Sequence, residues 1–314
     1  MRSQFFVLHL CSVAISIVGI DIAPTNPDAT IPGRFSGKTL LVTGGARGMG
    51  RATAIRAARE GANVVIADWL VKEGQETAEE IQRNGGNAIY VQTDVSNTKD
   101  TYAMVEAAVA KFGSLDMALN AAGVIDGVYS GDGVDLDAQD ELLFRKIHEA
   151  TDKYFDRVMA INAGGTFKSL RAELAYMVKQ GKGGSIVTIG SSTAIHAQSA
   201  IPAYVASKHA ISGLIRSAAI DYARYGIRVN SVNMANTNTD LLKRFREIIM
   251  KRYERQETDH FTLLKSYSLL QDADSQKRFS TVWEQAAVIL FLLSDDATAI
   301  TGSTAISDRG YTAY

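Results

Sequence analysis

Tyr204 and Lys208, four residues apart in the stretch Tyr-Val-Ala-Ser-Lys, are by type and spacing the residues best suited to move a proton. On a helix, positions i and i+4 share a face, so the lysine ammonium comes to lie beside the phenol. An unassisted tyrosine titrates near pH ~10, too high for a general base at neutral pH, and a neighbouring cation favours the phenolate. Ser191 stands thirteen residues upstream, directly after the apolar run Ser-Ile-Val-Thr-Ile. There its hydroxyl can donate a hydrogen bond to a carbonyl or alkoxide oxygen, with Ser192 as the alternative. A tyrosine–lysine pair at this spacing also arises by accident, so its meaning depends on what surrounds it.

A second chemistry-bearing stretch is Thr43-Gly44-Gly45-Ala46-Arg47-Gly48-Met49-Gly50, which follows one apolar run and opens a helical pattern. Glycines there let the backbone turn tightly and approach a pyrophosphate, whose charge is met by N–H groups and the helix dipole. Asp68 ends the next apolar run, Asn-Val-Val-Ile-Ala, some twenty residues on. A carboxylate at that place can accept hydrogen bonds from both ribose hydroxyls and repels a 2′-phosphate, which points to NAD in preference to NADP. Arg47 pulls the other way, since a cation at the turn can pair with a phosphate; the acid is read as decisive and Arg47 as a phosphate or surface contact.

These motifs need a parallel sheet to bring them together, and the patterning supplies one. Short apolar runs, most of them rich in β-branched residues, at 39–43, 63–67, 88–92, 117–120, 185–189 and 228–232 alternate with helical patterns at 49–60, 103–112, 155–180 and 204–225. That alternation predicts an α/β fold, a Rossmann-like doubly wound parallel sheet with helices on both faces. The run 284–293 is apolar almost all round and is expected to be deeply packed. Two stretches break the alternation: 126–150, acidic and glycine-rich at its start, and 241–280, a charged helical excursion. Both follow carboxyl ends of strands, where ligands bind in open parallel sheets, and they are the expected source of specificity. Their aromatic members (Tyr129, Phe144, Phe245, Tyr253, Phe261, Tyr267) are compatible with a fairly large hydrophobic alcohol or ketone, the alternative being that most of them are plain core.

Composition narrows the alternatives. The 314-residue chain is 46% hydrophobic and carries a net charge of -1, so a polyanion-binding face is not indicated and no nucleic-acid partner is expected. One cysteine, Cys11, and five histidines without ligand spacing argue against a metal site. Residues 1–23 hold one arginine ahead of an apolar run from 5 to 20, which reads as a signal, an anchor or a plain N-terminal extension. Membrane contact is expected only if that run is an anchor. The poor cleavage site before Pro24 and the absence of an Asn-x-Ser/Thr sequon favour a cytoplasmic protein over a secreted one. Residues 24–36, with three of the four prolines in 24–32, read as a linker before a single catalytic domain over 37–314.

Taken together, the motifs from about 35 to 310 resemble the short-chain dehydrogenase/reductase family. The resemblance implies cofactor roles for Gly44, Gly48 and Gly50, with Arg47 and Met49 in the same loop. Asp94 and Val95 match the pair that contacts adenine, and Asn120-Ala121-Ala122-Gly123 matches a motif that supports the sheet and lines the cofactor cleft. Asn162, in Met-Ala-Ile-Asn-Ala-Gly-Gly, completes a tetrad with Ser191, Tyr204 and Lys208. The resemblance further implies hydride exchange between NAD(H) and a CH–OH group, with Tyr204 exchanging the proton and Lys208 also holding the nicotinamide ribose. A homodimer or homotetramer is implied as well. The nearest competing readings are an NADP-dependent carbonyl reductase and a nucleotide-binding regulator without turnover.

The sequence departs from the family pattern in three places, the first being the 126–150 stretch, which is longer than the equivalent loop in many members and is either a substrate-cleft wall or a surface insertion. Met234-Ala235 stands where Pro-Gly is usual, leaving Thr237 and Thr239 as candidates for the nicotinamide carboxamide contact. Asp308-Arg309-Gly310 stands where Asp-Gly-Gly is common. His196, four residues past Ser192, is either a substrate-facing residue or a loop histidine without a chemical part.

Overall fold

The computed structural model describes residues 20–128, 133–257 and 268–313. The apolar run up to residue 19, with Cys11, and Tyr129, His260, Phe261 and Tyr267 lie outside the described residues. Seven strands form one parallel sheet: β1 (Thr39–Thr43), β2 (Asn63–Asp68), β3 (Asn87–Gln92), β4 (Met117–Asn120), β5 (Gly184–Ile189), β6 (Ile227–Met234) and β7 (Thr304–Ser307). Their spatial order is β3-β2-β1-β4-β5-β6-β7, so the chain reverses direction across the sheet between β1 and β4. A crevice opens at that switch point, above the carboxyl ends of the strands.

Successive strand residues point to opposite faces, and both faces are covered. Leu40, Val42, Val64 and Ile66 pack with α1 (Gly48–Arg59), α2 (Val71–Arg83) and α9 (Val282–Leu293). Leu41, Val65, Ala118 and Ile186 pack on the other side with α3 (Thr98–Phe112), α5 (Gly165–Gln180) and α6 (Pro202–Tyr222). Burial on both sides is why the strands read as unbroken apolar runs. A third cluster lies off the sheet, joining Ile125, Val128, Phe144, Tyr154 of α4 (Asp152–Met159), Ile201 and Ile248 of α7 (Asp240–Glu254).

Two elements escaped the sequence reading. The apolar face of α2 is made of Gly74, Thr77, Ala78 and Ile81, too small and polar to stand out. β7 is a four-residue, half-buried strand at the sheet edge. The pattern at 155–180 is interrupted by a π-turn at Ala160–Gly164 that separates α4 from α5. One wide turn changes the phase of the side chains, which periodicity alone does not register. Of the two irregular stretches, 241–280 holds α7 and a short α8 (Leu269–Ala273), while 126–150 holds one 3-10 turn at Asp140–Leu142. The proline-containing lead-in lies against the body: Ile20 pairs with Ala273 and Ser275, and Arg59 binds the Pro27 carbonyl and Asp28. Among the described residues no helix is long and apolar enough to cross a membrane.

Candidate active site

The crevice is one continuous cleft running from the first βα turn to the start of α6, and its two ends differ in chemistry. At the first end β1 passes into α1 through the glycine turn. Gly44 has φ +69°, and a Cβ there would stand 2.7 Å from the Ala122 nitrogen. A Cβ on Gly50 would stand 2.1 Å from the Gly44 carbonyl oxygen. Neither position tolerates a side chain, so bare backbone N–H groups and the N-terminus of α1 face the cleft, a fit for a pyrophosphate. Arg47, Gly48 and Met49 line the same wall.

Asp68 ends β2 at the cleft edge. One carboxylate oxygen accepts the Ala46 N–H at 2.9 Å and the other the Leu70 N–H at 2.9 Å. Each oxygen keeps lone pairs for a further donor, which is what two ribose hydroxyls need. Burial raises this carboxyl above its ordinary range, opposed by the Leu70 and Ala46 hydrogen bonds and by Arg47. Arg47 itself is paired with Glu73 at 2.5 Å, so its charge is shared with an acid at the turn. Trp69 and Leu70 follow Asp68 along the wall, although no motif pointed to them.

Asp94 and Val95 lie further along the same edge. Asp94 accepts from the Ser96 N–H and hydroxyl at 2.9 and 2.7 Å, and Val95 packs so closely on α5 that a Cβ on Gly165 would overlap it. Ala121 and Gly123 line the cleft floor. Asn120 lies beneath it: its amide donates to Glu173 at 2.9 Å and its carbonyl accepts from Thr43 at 3.4 Å. Glu173 is fully buried, and burial pushes its carboxyl up to about 7 against that hydrogen bond.

The second end collects the residues read as a tetrad. Tyr204 and Lys208 share a face of α6, with the Lys208 ammonium 5.5 Å from the Tyr204 ring centre. Lys208 donates to the Ile189 carbonyl at 2.8 Å. Burial pulls this ammonium down to about 8 and raises the Tyr204 phenol, the latter opposed by a hydrogen bond from Ser191. The desolvated pair therefore differs from the sequence expectation, in which the cation lowers the phenol: the uncharged forms are favoured in both, and each charge is worth most when the other is present. The Ser191 oxygen accepts from the Thr193 N–H and hydroxyl at 3.1 and 2.9 Å, which leaves its own proton to point at Tyr204 and the cleft. Ser192 also lines the cleft.

Asn162 sits in the π-turn and is wholly buried. Its side chain accepts from the Val124 N–H at 2.8 Å and donates to the Val124 carbonyl and the Ser207 hydroxyl at 2.9 and 3.0 Å. This ties the exit of β4 to α6, one residue from Lys208.

β6 ends at Met234, the first of the two residues that stand in place of Pro-Gly. Thr237 and Thr239 both line the cleft. Thr237 donates to the Ala235 carbonyl, while Thr239 caps α7 and sits 3.6 Å from where a Cβ on Gly48 would be, nearer the glycine turn than the tetrad. His196 is set aside from the cleft, against the Tyr311 ring at 5.3 Å, and it is Tyr311 that faces the cleft. Beside Tyr204 the cleft is lined by Ile125, Val128, Gln198, Ile201, Leu241 and Phe245, and two further charged residues, Arg157 and Asp240, also line the cleft. Of the residues beside Tyr204 the sequence pattern singled out Phe245; the others carry no signal beyond being mostly apolar.

The profile of the short chain dehydrogenase family matches residues 38–249. The 3beta-hydroxysteroid dehydrogenase of Mediterraneibacter gnavus is 36% identical over 288 residues, covering 90% of this chain and 98% of that protein. The cyclohexanol dehydrogenase of an Acinetobacter species is 32% identical, covering 89% and 96%. The crystal structure of levodione reductase superposes with a TM-score of 0.75 at 29% identity, over 89% of this chain and all of that one. The chain belongs to the short-chain dehydrogenase family, a family of NAD(P)-using oxidoreductases.

Proposed function

We propose that this protein is an NAD-dependent dehydrogenase that interconverts an uncharged secondary alcohol of apolar ring type and its ketone. The observation that carries the reading is a single cleft with the Asp68 carboxylate at one end and Asn162, Ser191, Tyr204 and Lys208 at the other. A bound nicotinamide supplies the acceptor, or donor, of the hydride that leaves or joins the substrate carbon. In oxidation, Tyr204 as phenolate would take the hydroxyl proton and end protonated, while the substrate carbon would give up the hydride that the nicotinamide accepts and so become the ketone. Lys208 would stabilise the phenolate and would hold the nicotinamide ribose of a bound cofactor. Ser191, its oxygen already saturated by Thr193, donates its proton to the reacting oxygen. Asn162 holds the β4 exit against α6 and helps position Lys208 through a water.

The NAD preference rests on Asp68, fixed by two backbone donors, and on Arg47 being engaged by Glu73. The apolar residues packed beside Tyr204 support an apolar substrate, and the ring alcohols in the names of two relatives agree with it. NAD preference in turn favours the oxidative direction. Phe155 and Phe167, exposed on α4 and α5, support assembly with further copies as a homodimer or homotetramer. The test is a panel of cyclic secondary alcohols with NAD and with NADP, followed at the reduced-nicotinamide absorbance band. We expect kcat/KM with NAD at least about tenfold above NADP, one charge-assisted hydrogen bond's worth. Equal efficiency with both removes the cofactor assignment. Tyr204→Phe is expected to lower kcat by roughly 10²–10⁴ with the fold intact; near-normal turnover removes the mechanism.

A further inference from the structure

The wall opposite the tetrad is built from two segments far apart in sequence, and a buried ion pair stands directly behind it. Arg244 of α7 donates to Asp126 at 2.7 Å, with Asp126 only 2% exposed and the Arg244 side chain 13%. Ile125 and Val128, on either side of Asp126, line the cleft; so do Leu241 and Phe245, on either side of Arg244. The other Asp126 oxygen accepts the Val128 N–H at 2.9 Å, so one carboxylate shapes the turn carrying Val128 and also fixes α7. Around this pair α7 holds the 126–150 segment at further points: Arg244 to Gln139 at 3.2 Å, Lys251 to the Val134 carbonyl at 2.6 Å, and Arg252 to the Phe144 carbonyl. Phe144 and Phe245 pack in a tilted pair, 5.3 Å between ring centres.

We propose that Asp126 and Arg244 are a positioning pair that sets the width of the substrate slot, making the protein selective for the ring size of its alcohol or ketone. The physical reason is that an ion pair with its charges out of water resists separation far more than apolar contacts do, because each charge left alone is costly. Apolar walls alone discriminate weakly between substrates differing by a methylene. Walls held at one spacing add a steric limit above that preference. Neither residue touches the substrate; both act through Ile125, Val128, Leu241 and Phe245.

This inference rests on the alcohol-dehydrogenase reading above, and the experiment separates the two. The full chain and the variants Arg244→Met, Arg244→Lys and D126N/R244M are assayed with NAD on cycloalkanols of increasing ring size. NAD affinity is read separately from the fluorescence of Trp69 in the cleft wall. For Arg244→Met we expect KM for the best wild-type ring to rise about tenfold, with kcat less affected and wider rings gaining relative to it. NAD affinity stays within about twofold. Arg244→Lys, which keeps the charge but not the guanidinium fork, should fall between the two, and the double variant should be no worse than Arg244→Met alone. A ring-size profile unchanged in Arg244→Met, or a KM rise equal at every ring size, overturns the positioning role. So does an additive double variant. If Arg244→Met does not fold, the decision passes to Arg244→Lys, whose profile must broaden. A wild type that oxidises no member of the series overturns the alcohol-dehydrogenase reading, and this inference with it.

Discussion

The two ends of the cleft are held in place by different means. At the cofactor end the positions are made by backbone: a glycine turn between β1 and α1, strand ends locked in register, and an aspartate tied to two N–H groups. At the substrate end they are made by side chains that reach across more than a hundred residues of sequence, such as Arg244 to Asp126 and Lys251 to Val134. Backbone geometry depends on a few residue types at short spacing and leaves a motif behind. Long-range side-chain pairing depends on where two segments happen to meet, so the substrate end can be rebuilt while the cofactor end stays as it is.

The harshest way to test this contrast is Gly44→Ala. A methyl at φ +69° and 2.7 Å from a backbone nitrogen adds strain of about 1–3 kcal/mol before any neighbour moves. NAD affinity measured by titration should fall by roughly a hundredfold, and retention of wild-type affinity would show that this end is less backbone-bound than described. Next in size is Asp68→Asn, which keeps the shape but removes the charge. The preference for NAD over NADP in paired binding titrations should shrink about 10–100-fold, as for a lost charge-assisted bond, with ring-size selectivity unchanged. A change in that selectivity would break the separation between the two ends.

A smaller effect concerns what lies beneath. Glu173 supports Asn120 with a carboxyl that the fold keeps protonated up to about 7, against an ordinary value of 4.5. Between those two values the native state binds more protons than the unfolded chain, so this group makes stability fall as pH rises from about 4.5 to about 7, with no further change above. Chemical unfolding at pH ~5 and pH ~8 should show the wild type losing roughly 3 kcal/mol more than Glu173→Gln across that window. Identical pH dependence in the two would mean the carboxyl is not held neutral. Least of all should follow from Arg255→Ala. Its pairing with Asp137 joins α7 to the 126–150 segment at the exposed rim, where solvent screening leaves little net gain. An unchanged melting temperature and ring-size profile are expected, in contrast to the buried pair at Arg244.

The fold was legible to the extent that it rests on period and punctuation. Six of the strands stand out as short apolar runs, and the glycine turn marks where the first of them ends. β7 and α2 were not legible, one for its shortness and the other because small residues bury its inner face. At the site, Tyr204 and Lys208 announce themselves by sharing a helix turn, and Asp68 by ending a strand. Thr193, which orients the Ser191 proton, and Glu173, which supports Asn120, carry no signal of their own.

By itself, then, the sequence determined the parallel α/β architecture and the local chemistry of each motif, because strand period, glycine turns and i, i+4 spacing are properties of neighbours. Only the tertiary structure decided that Asn162 turns from a π-turn onto Val124 and Ser207, that burial raises the Tyr204 phenol and lowers Lys208, and that Asp126 meets Arg244 between cleft-lining residues of two distant segments. Desolvation and long-range pairing depend on which surfaces are brought together, and that is fixed by packing across the whole chain.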